Sequence, residues 1–439
     1  MANNVVEIGF DVSGSPLAPF VTLNDPVKGI LASDVAPSPF VLGGTLFNDV
    51  TDKVLNYGIS RGKTRQLDRY SSGQVTVNLD NTDRTFDPLY ADSEYAGQII
   101  PRRPLRVTSN GIRQVVTSID DWDLEYEAKG RSIATAKASD GLTQLANQVL
   151  TPGAQVVEKS GERINKILSD PEVNWRIDQR NLDKGQTTLQ ADTIPSNRNA
   201  LQYIQQITLS EPGSFFISKN GNARFRDRFS AEASLGATVF ADDSSGINYT
   251  NLRVIFGTEI LHNEVVIERL NGGTLTAVDL ISQEQFGIFN LTLSDLLMSD
   301  DTNAQNLANF LRSKLSQPEY RFEELTINID EITVVQDGFT LDDPDKGRLD
   351  FGLGLAAAES ELPQNKVLSL ELGDVVQVTF TPSGIGDPIE RFVEIIRIAQ
   401  RVTPTSHQVT FGLGALEVNF WRLSDPFFGK LSAGNSLAY

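Results

Sequence analysis

Alternating apolar and polar residues run through the first part of the chain and predict β-strands. Residues 74–79 place an apolar side chain at every second position, which is the pattern of a strand with one buried face. Asn110-Gly111 lies between two further strand patterns and is a strong signal for a tight hairpin turn. The Gly-, Pro- and Ser-rich stretch 13–45 lacks this periodicity, so we expect a long arm or insertion loop there. Together these patterns predict a β-rich module over residues 1–138.

The spacing of apolar residues then changes to that of helices. Asp140 is a suitable N-cap for a first helix, and Ser196 is one for a helix over residues 198–209 that carries its apolar residues on one face. Asn220-Gly221 lies between two short strand patterns and predicts a second hairpin. We therefore predict an α+β module over residues 139–245.

Strand patterns return in the last part of the chain, interrupted by one long helix. The apolar stripe predicts this helix at residues 303–315, with Asp301 or Thr302 as its N-cap. Residues 337–365 are crowded with Asp, Pro, Gly and Ala and are expected to form a long loop. We therefore predict a second β-rich module over residues 246–420.

The two ends of the chain share a strand order. Residues 101–141 contain three successive strand patterns, and residues 373–414 repeat that order with few identical residues. The repetition suggests two related barrels. We predict a mixed, mainly β fold in which two tube-like β-barrel modules flank the α+β module, followed by a C-terminal arm at 421–439.

Composition narrows the possible functions. The chain has 439 residues and a net charge of −19, and an acidic surface repels nucleic acid, so we exclude sequence-specific nucleic-acid binding. There is no cysteine, which excludes disulfides and thiolate metal sites. No apolar run approaches the ~20 residues that a membrane-spanning helix needs, so we expect no stable membrane insertion and no secretory leader.

Residues that could carry catalysis occur without the motifs that catalysis needs. His262 and His407 are the two histidines, and neither accompanies a Gly-x-Ser-x-Gly nucleophile turn. The acidic run 120–125 surrounds Trp122, as in some sugar-cleaving sites, but alternation along a strand would point the acids to both faces. We therefore expect these residues to be packed or solvated, and we expect no catalytic residues.

Two charged clusters have local explanations. Residues 343–347 are similar to the start of a calcium loop, but Gly347 occupies the position of the third ligand, and Lys346 and the missing flanking helices also argue against one. We expect no metal and no cofactor. The basic cluster 61–65 has two interpretations that the sequence leaves open. It contacts an acidic patch of a partner protein, or it forms a turn whose arginines pair with Asp68, Asp80 or Asp83.

One stretch resembles a known family. Residues 60–89, SRGKTRQLDRYSSGQVTVNLDNTDRTFDPL, resemble a pattern of minor tail proteins and tail-tip (baseplate) hub proteins of long-tailed siphophages that infect actinobacteria. Residues 99–107 and 372–382 continue the resemblance near both ends of the chain. The residues that carry it are Arg61, Gly62, Arg65, Leu67, Asp68, Arg69, Asp80, Asn81, Arg84, Phe86, Asp87, Pro88, Gly373 and Asp374.

The resemblance implies a structural role in the virion. Family hubs are homotrimers whose subunits each supply two barrels, so that three subunits form a pseudo-sixfold ring against a hexameric tail ring. Their partners are the distal tail protein, the tape measure protein and other minor tail proteins, and the ring closes the DNA channel until ejection. The implied location is the tail tip, after assembly in the host cytoplasm. The motif residues are then expected to build turns and strand edges rather than a catalytic site.

Three alternatives stay open from the residues. The chain is a distal tail ring protein, or a tip protein that binds host-surface carbohydrate, or a cell-wall hydrolase. A carbohydrate-binding tip protein would need an aromatic cluster, whereas Trp122, Trp175 and Trp421 lie far apart in the sequence. A hydrolase would need a triad or a metal-ligand cluster, which the sequence lacks. The structural hub therefore explains the sequence best.

Overall fold

The computed structural model describes most of the chain. The described ranges are residues 2–10, 46–128, 130–230, 235–243, 245–332 and 362–415. Four predictions fall wholly or largely outside them, namely the arm at 13–45, the loop at 337–365 up to residue 361, the acidic cluster 343–347 within it, and the tail at 421–439.

Strands and helices follow one another in three groups. The N-terminal strands are β1 (Asn4–Phe10), β2 (Leu46–Asp49), β3 (Val54–Gly62), β4 (Ser71–Asp80), β5 (Pro104–Ser109), β6 (Ile112–Tyr126) and β7 (Ser132–Ser139). The middle strands are β8 (Gly153–Gln155), β9 (Glu158–Lys159), β10 (Arg180–Leu182), β11 (Thr188–Leu189), β12 (Asp192–Ile194), β13 (Ser214–Ile217) and β14 (Ala223–Arg226). The C-terminal strands are β15 (Leu235–Ala241), β16 (Asn251–Gly257), β17 (Glu264–Arg269), β18 (Thr274–Val278), β19 (Asn290–Leu296), β20 (Glu319–Asn328), β21 (Val375–Phe380), β22 (Ile389–Thr403) and β23 (Ser406–Ala415).

The helices lie mainly in the middle of the chain. In the described ranges the α-helices are α1 (Gly141–Asn147), α2 (Ser160–Leu168), α3 (Ala200–Ser210), α4 (Leu280–Phe286), α5 (Asp301–Leu315) and α6 (Pro363–Ser369). None of them combines the length and the hydropathy that a membrane crossing requires. Strands predominate over helices, which confirms the prediction of a mixed, mainly β fold.

One large sheet connects the two ends of the chain. It contains 13 strands, and its main path runs β16-β20-β23-β22-β3-β4-β7-β6-β5-β1-β2, with β15 and β21 joined to it through β22. The link between the N-terminal and C-terminal strands is the antiparallel pair of β3 with β22. The small sheets of the middle strands and the three-stranded sheet β18-β17-β19 lie outside this path.

The residues that the structure describes form four hydrophobic cores. The N-terminal strands enclose one core, and the strands around β20 to β23 enclose a second one. Helices α1 to α3 pack on the middle strands around a third core, and α5 covers one face of the sheet β18-β17-β19 to form the fourth. Each core draws most of its residues from one part of the chain, although Val402 belongs to the N-terminal core and Tyr70 and Phe216 belong to the core around β20 to β23. The domain boundaries at 138, 245 and 420 stay predictions.

The strand order predicted to repeat recurs inside the large sheet. The order β3-β4-β7-β6-β5 in the N-terminal half corresponds to β16-β20-β23-β22-β21 in the C-terminal half. The ladder of β6 and β7 shifts register between Ile119 and Asp121, and the ladder of β22 and β23 shifts between Ile395 and Arg397. The bulge lies at the same place in both halves. Because a bulge bends its strand and increases the local twist, both halves of the sheet bend at equivalent positions.

A second detail of the repeat involves the chain just before β5 and β21. The backbone N–H of Arg102 donates to Ile119 O, and the backbone N–H of Gly373 donates to Ile395 O in the same way. Both residues have positive φ angles, 68° for Arg102 and 81° for Gly373. The two halves therefore share hydrogen bonds and backbone conformation even where the residues differ.

Local signals at turns and helix starts have mixed outcomes. Asn110 and Gly111 both have positive φ, which confirms the predicted hairpin between β5 and β6. Asp140 caps α1 by accepting from the Leu142 backbone N–H, as predicted. The predicted cap Ser196 is wrong, because Asn199 accepts from the Gln202 backbone N–H and begins α3 there.

The long helix also begins earlier than its predicted start. Asp300 is the N-cap of α5, and its side chain accepts from the Asn303 backbone N–H. The predicted caps Asp301 and Thr302 are therefore wrong and lie in the first turn of the helix. A further correction concerns α6, since it begins at Pro363, inside the stretch predicted to be a loop. Proline fits this place because the first turn of a helix needs no N–H from it.

Candidate functional site

The structure brings motif residues from both ends of the chain together at one place. Arg61 is the penultimate residue of β3, and its Nη2 lies 2.8 Å from Oε1 of Glu371, which lies just before β21. The same Nη2 donates to Ile217 O at 2.8 Å, at the end of β13 in the middle part of the chain. Both charged side chains are buried, with exposures of 3% for Arg61 and 8% for Glu371. We call this buried contact of three chain segments the junction.

Glu371 is the acceptor that completes the junction. Its Oε2 accepts from the Lys219 backbone N–H at 2.7 Å, and its Oε1 accepts from the Leu372 backbone N–H at 2.8 Å. Its own backbone N–H donates to Asp374 Oδ2 at 2.8 Å. A buried carboxylate with a cationic partner and two N–H donors is satisfied, so the junction stores no uncompensated charge.

The two motif glycines permit the close approach of backbone at the junction. Gly62 has a φ of 117°, and a Cβ built on it would lie 2.3 Å from Ile396 O. Gly373 has a φ of 81°, and a Cβ there would lie 2.4 Å from Arg226 Nη1. Gly62 therefore needs glycine for space against the backbone as well as for its φ angle, whereas Gly373 needs glycine for its φ angle, since the Arg226 side chain can move.

Further charged groups surround the junction, and burial shifts their pKa values. Burial lowers the pKa of Lys63 and raises the pKa of Glu394, which face each other. Burial also raises the pKa of Asp374, whose carboxylate lies 3.8 Å from Arg226 Nη1. Asp140 has a raised pKa for the same reason, and it accepts from the Gly73 backbone N–H at 2.8 Å. The region is a mixed cluster of buried cations and carboxylates that connects β4, α1 and the two halves of the sheet.

The second half of the motif forms a compact turn after β4. Asn81 is fully buried, and its Oδ1 accepts from the Phe86 backbone N–H at 2.8 Å. Phe86 is also fully buried and lies against the ring of Trp122, with centroids 6.0 Å apart. Arg84 has a φ of 64°, and its Nη2 lies 2.7 Å from Asp87 Oδ2. The turn thus closes one side of the N-terminal core.

The ends of that turn are held by short-range hydrogen bonds. Asp80 Oδ1 accepts from the Thr82 backbone N–H at 3.0 Å. Asp87 Oδ1 accepts from the Leu89 backbone N–H at 2.9 Å, and this bond keeps the pKa of Asp87 below its usual range. Pro88, which lies between Asp87 and Leu89, is exposed.

The remaining motif residues lie on the surface beyond β3. Arg65 Nε pairs with Glu259 Oε1 at 2.9 Å, and the Arg65 backbone N–H donates to Asp68 Oδ2 at 3.0 Å. Arg69 reaches Gln205 in α3 at 3.5 Å. Leu67 is 41% exposed. These residues are brought near the middle part of the chain but are not part of the buried junction.

These contacts correct both interpretations of the basic cluster where Arg61 is concerned. Its partner is Glu371 of the same chain, and neither Asp68, Asp80 nor Asp83 takes that place. Glu371 was missed because 310 residues separate it from Arg61. The available signal was that an arginine inside a strand pattern requires a buried partner, but no local rule identifies a partner so distant.

The two histidines occupy packed positions. His407 is buried in β23, and its Nε2 lies 3.3 Å from Gln400 Oε1. Burial lowers the pKa of His407 to about 4. Burial also lowers the pKa of His262. An imidazole with so low a pKa is a poor general base near neutral pH, because catalysis is most effective when the pKa lies near the working pH.

The acidic run on β6 follows the alternation of the strand. Asp121, Asp123 and Glu125 are all exposed, whereas Trp122 and Leu124 pack on the N-terminal core. Asp120, at the bulge after Ile119, is half-buried, and the other three acids share one face because they occupy every second position of the strand. The indole lies on the opposite face, so it offers no sugar platform beside them. No group of three metal-ligating side chains occurs in the described ranges.

Comparisons with known proteins identify the class of fold. No family model matches the sequence, and no curated protein matches it. Solved structures do match over most of the chain, and the fold that they define is that of phage tail proteins.

The 43 kDa tail protein of prophage MuSo2 from Shewanella oneidensis is 14% identical, with a TM-score of 0.50. The tail protein from Neisseria meningitidis MC58 is 11% identical, with a TM-score of 0.54. In both cases the match covers 84% of this chain and 94% of the other chain. At these identities the likeness establishes the fold, which this chain shares along nearly the whole length of both tail proteins.

Proposed function

We propose that the chain is a structural tail-tip hub protein of a bacteriophage and that it performs no catalysis. The observation that carries this proposal is the junction, where Arg61 of the first motif segment forms a buried ion pair with Glu371, which directly precedes the second segment. A hub must transmit load between the tail tube and the tip without changing shape. One sheet that runs through both halves, fixed by a buried and satisfied ion pair, suits that task.

The finer proposal follows from the duplicated strand order. Each subunit supplies two barrel-like halves, and three subunits form a pseudo-sixfold ring that joins a hexameric tail ring and closes the DNA channel. The proposed partners are a distal tail protein, a tape measure protein and other minor tail proteins of a siphophage that infects actinobacteria. The net charge of −19 supports a channel wall that DNA passes without binding.

Localisation in the virion tests this proposal. Particles of the phage that encodes the chain are incubated with a gold-labelled antibody against the purified protein and viewed by electron microscopy. We expect gold at the distal end of the tail. Label along the whole tail, label at the head, or absence of the chain from washed particles would overturn the tail-tip assignment.

A further inference from the structure

Several strand edges in the described part of the chain lack a partner strand, and two of them lie at related places in the two halves of the large sheet. β16 pairs with β20 on one side, and no strand pairs with its other side. β6 is long, and its residues 112–118 pair with β5 while residues 118–126 pair with β7. The side of residues 121–126 that faces away from β7 is therefore also open. Open edges of this length are available for pairing with another chain.

The internal repeat identifies what such an edge pairs with. Within the chain, residues 57–62 of β3 pair antiparallel with residues 397–402 of β22. In the repeat β3 corresponds to β16, and β22 corresponds to β6. The pair equivalent to β3 with β22 is therefore β16 with residues 121–126 of β6, and these two edges are not paired with each other within the described chain.

The ladders also fix the register of this missing pair. One row across the sheet runs through Tyr57, Val77, Ala136 and Trp122, and the equivalent row runs through Leu252, Leu325, Phe411 and Ile398. Tyr57 pairs with Val402, four residues after Ile398. The equivalent pair is Leu252 with Tyr126, four residues after Trp122.

We propose that β16 of one copy of this chain pairs antiparallel with residues 121–126 of β6 in a second copy. In this register Arg253 lies opposite Glu125, and Phe256 lies opposite Trp122. The inference rests on the hub proposal and deepens it by assigning the surface through which the subunits join. Each contact between copies then repeats the contact of β3 with β22 inside a copy, as a pseudo-symmetric ring requires.

Side chains on the two edges are complementary in this register. Leu252, Val254 and Phe256 occupy alternate positions and share one face of β16; Leu252 and Val254 pack on the core, whereas Phe256 is 69% exposed. Trp122, Leu124 and Tyr126 share the core-side face of β6, and Tyr126 is 53% exposed. Pairing places these two apolar rows against each other and covers both exposed rings. Aromatic pairs across strands stabilise a sheet beyond the burial of their area.

Charge supports the same pairing on the opposite face. The Arg253 side chain is 57% exposed on that face of β16, where its Nε also lies 3.2 Å from Glu323 Oε2 of its own chain. Glu125 and Asp123 are exposed on the corresponding face of β6, with Glu125 directly opposite Arg253. The predicted interface thus combines an apolar row, an ion pair and main-chain hydrogen bonds, which is the usual composition of strand addition between chains.

Cysteine cross-linking tests the partner and the register together. The natural chain has no cysteine, so Glu125→Cys and Arg253→Cys each introduce a single thiol. Directly opposite residues on antiparallel strands have Cβ atoms about 4.5–5.5 Å apart, close to disulfide geometry. We expect a disulfide-linked dimer on a non-reducing gel when the two variants are mixed and oxidised, and none when either is oxidised alone. The matched control is Asp121→Cys mixed with Arg253→Cys, which places the thiols roughly 13 Å apart.

Three outcomes overturn the proposed interface. The first is a disulfide-linked dimer formed by one cysteine variant alone. The second is as much cross-linked dimer in the control mixture as in the test mixture. The third is a mixture that forms trimers in solution but gives no cross-link. The last result leaves the hub proposal intact, whereas a chain that never self-associates and never cross-links counts against both.

A second measurement uses charge reversal. Arg253→Glu and Glu125→Arg should each weaken self-association about ten-fold, and the double variant should recover most of it. If self-association of the double variant is as weak as that of the single variants, the result also contradicts the pairing.

Discussion

At the scale of single residues, the junction depends on a charged pair that is almost entirely out of water. Arg61 and Glu371 each have other hydrogen-bond partners, Ile217 O for the guanidinium and the Lys219 backbone N–H for the carboxylate. A buried pair of this kind contributes little relative to a well-packed apolar pair, but its loss on one side leaves a buried charge without a partner. The pair therefore matters for the specific arrangement of three segments more than for total stability.

Removing one partner of this pair should be costly. We expect Glu371→Ala to lower the free energy of unfolding by about 3–5 kcal/mol, because Arg61 stays buried and uncompensated. The double variant Arg61→Met with Glu371→Leu should lose less than Glu371→Ala, because neither charge remains. Denaturant unfolding measures both. Asp83→Ala, which breaks the exposed pair with Lys53, is the control and should cost less than about 1 kcal/mol. A double variant that loses as much as the single one would contradict this account.

Glycine at position 62 should be required for two separable reasons. Gly62→Ala combines a positive φ with a clash against Ile396 O, so we expect a loss of at least about 2 kcal/mol in stability. Gly111→Ala is the matched control, because Gly111 has a φ of 76° and nothing lies within 4 Å of an added Cβ. Its loss should stay near 1 kcal/mol. Thermal unfolding compares the stability of the two variants directly. If both lose the same stability, the contact of position 62 with β22 does not contribute to the requirement for glycine.

At the scale of elements, the hairpin of β22 and β23 should make stability depend on pH. His407 titrates at a pKa of about 4 in the folded chain because it is buried, and near 6.5 when unfolded. Its contribution is present above pH 6.5 and is lost as the pH falls towards 4, since the unfolded chain then takes up a proton that the folded chain does not. The loss amounts to at most about 3 kcal/mol.

A variant isolates this contribution from that of the carboxyl groups. We expect His407→Gln to lose less stability than the natural chain between pH 7 and pH 4.5, whatever its stability at pH 7. Denaturant midpoints at a series of pH values measure the slope. Parallel slopes for the two proteins would show that His407 is not the origin of the dependence.

Elements differ in how far the sequence determines them. β4, β21 and the two predicted hairpins at Asn110-Gly111 and Asn220-Gly221 follow from local alternation and from Asn-Gly turns, whose conformation few other residues adopt. β3 was not predicted. Its pattern ends in the basic residues around Arg61, and a basic cluster favours a turn when only the sequence is considered. The buried partner that allows Arg61 to lie in a strand is Glu371, which is far away in the sequence. The strands β15 and β16 were missed for a similar reason. Their pairing with β21 and β20 is long-range, so tertiary contacts rather than local preference decide them.

The same division applies to the candidate site. The motif residues were located from the sequence, and the turn from Asp80 to Pro88 could be expected from its short-range pattern. The meeting of Arg61 with Glu371, and the role of the β13–β14 hairpin between them, could not. Local patterns carry information about neighbours along the chain, whereas a junction is defined by residues hundreds of positions apart.

At the scale of the whole molecule, the central feature is one sheet that passes through two similar halves of the chain. The halves share strand order, a bulge and the hydrogen bonds that precede β5 and β21. They differ at their outer edges, where β16 and the end of β6 remain unpaired in the described chain. Such a subunit is suited to self-association, since heterologous edges join head to tail and close into a ring when the rotation permits.

The measurement that tests this account most directly is the mass of the purified protein by light scattering, alone and mixed with the other tail-tip proteins of its phage. The account predicts a particle with three copies of the chain, either alone or in the mixture, because three subunits with two halves each complete a pseudo-sixfold ring. A stable monomer under both conditions, or a hexamer of this chain, would contradict the ring. Either result would favour a carbohydrate-binding tip protein or a distal tail ring protein instead.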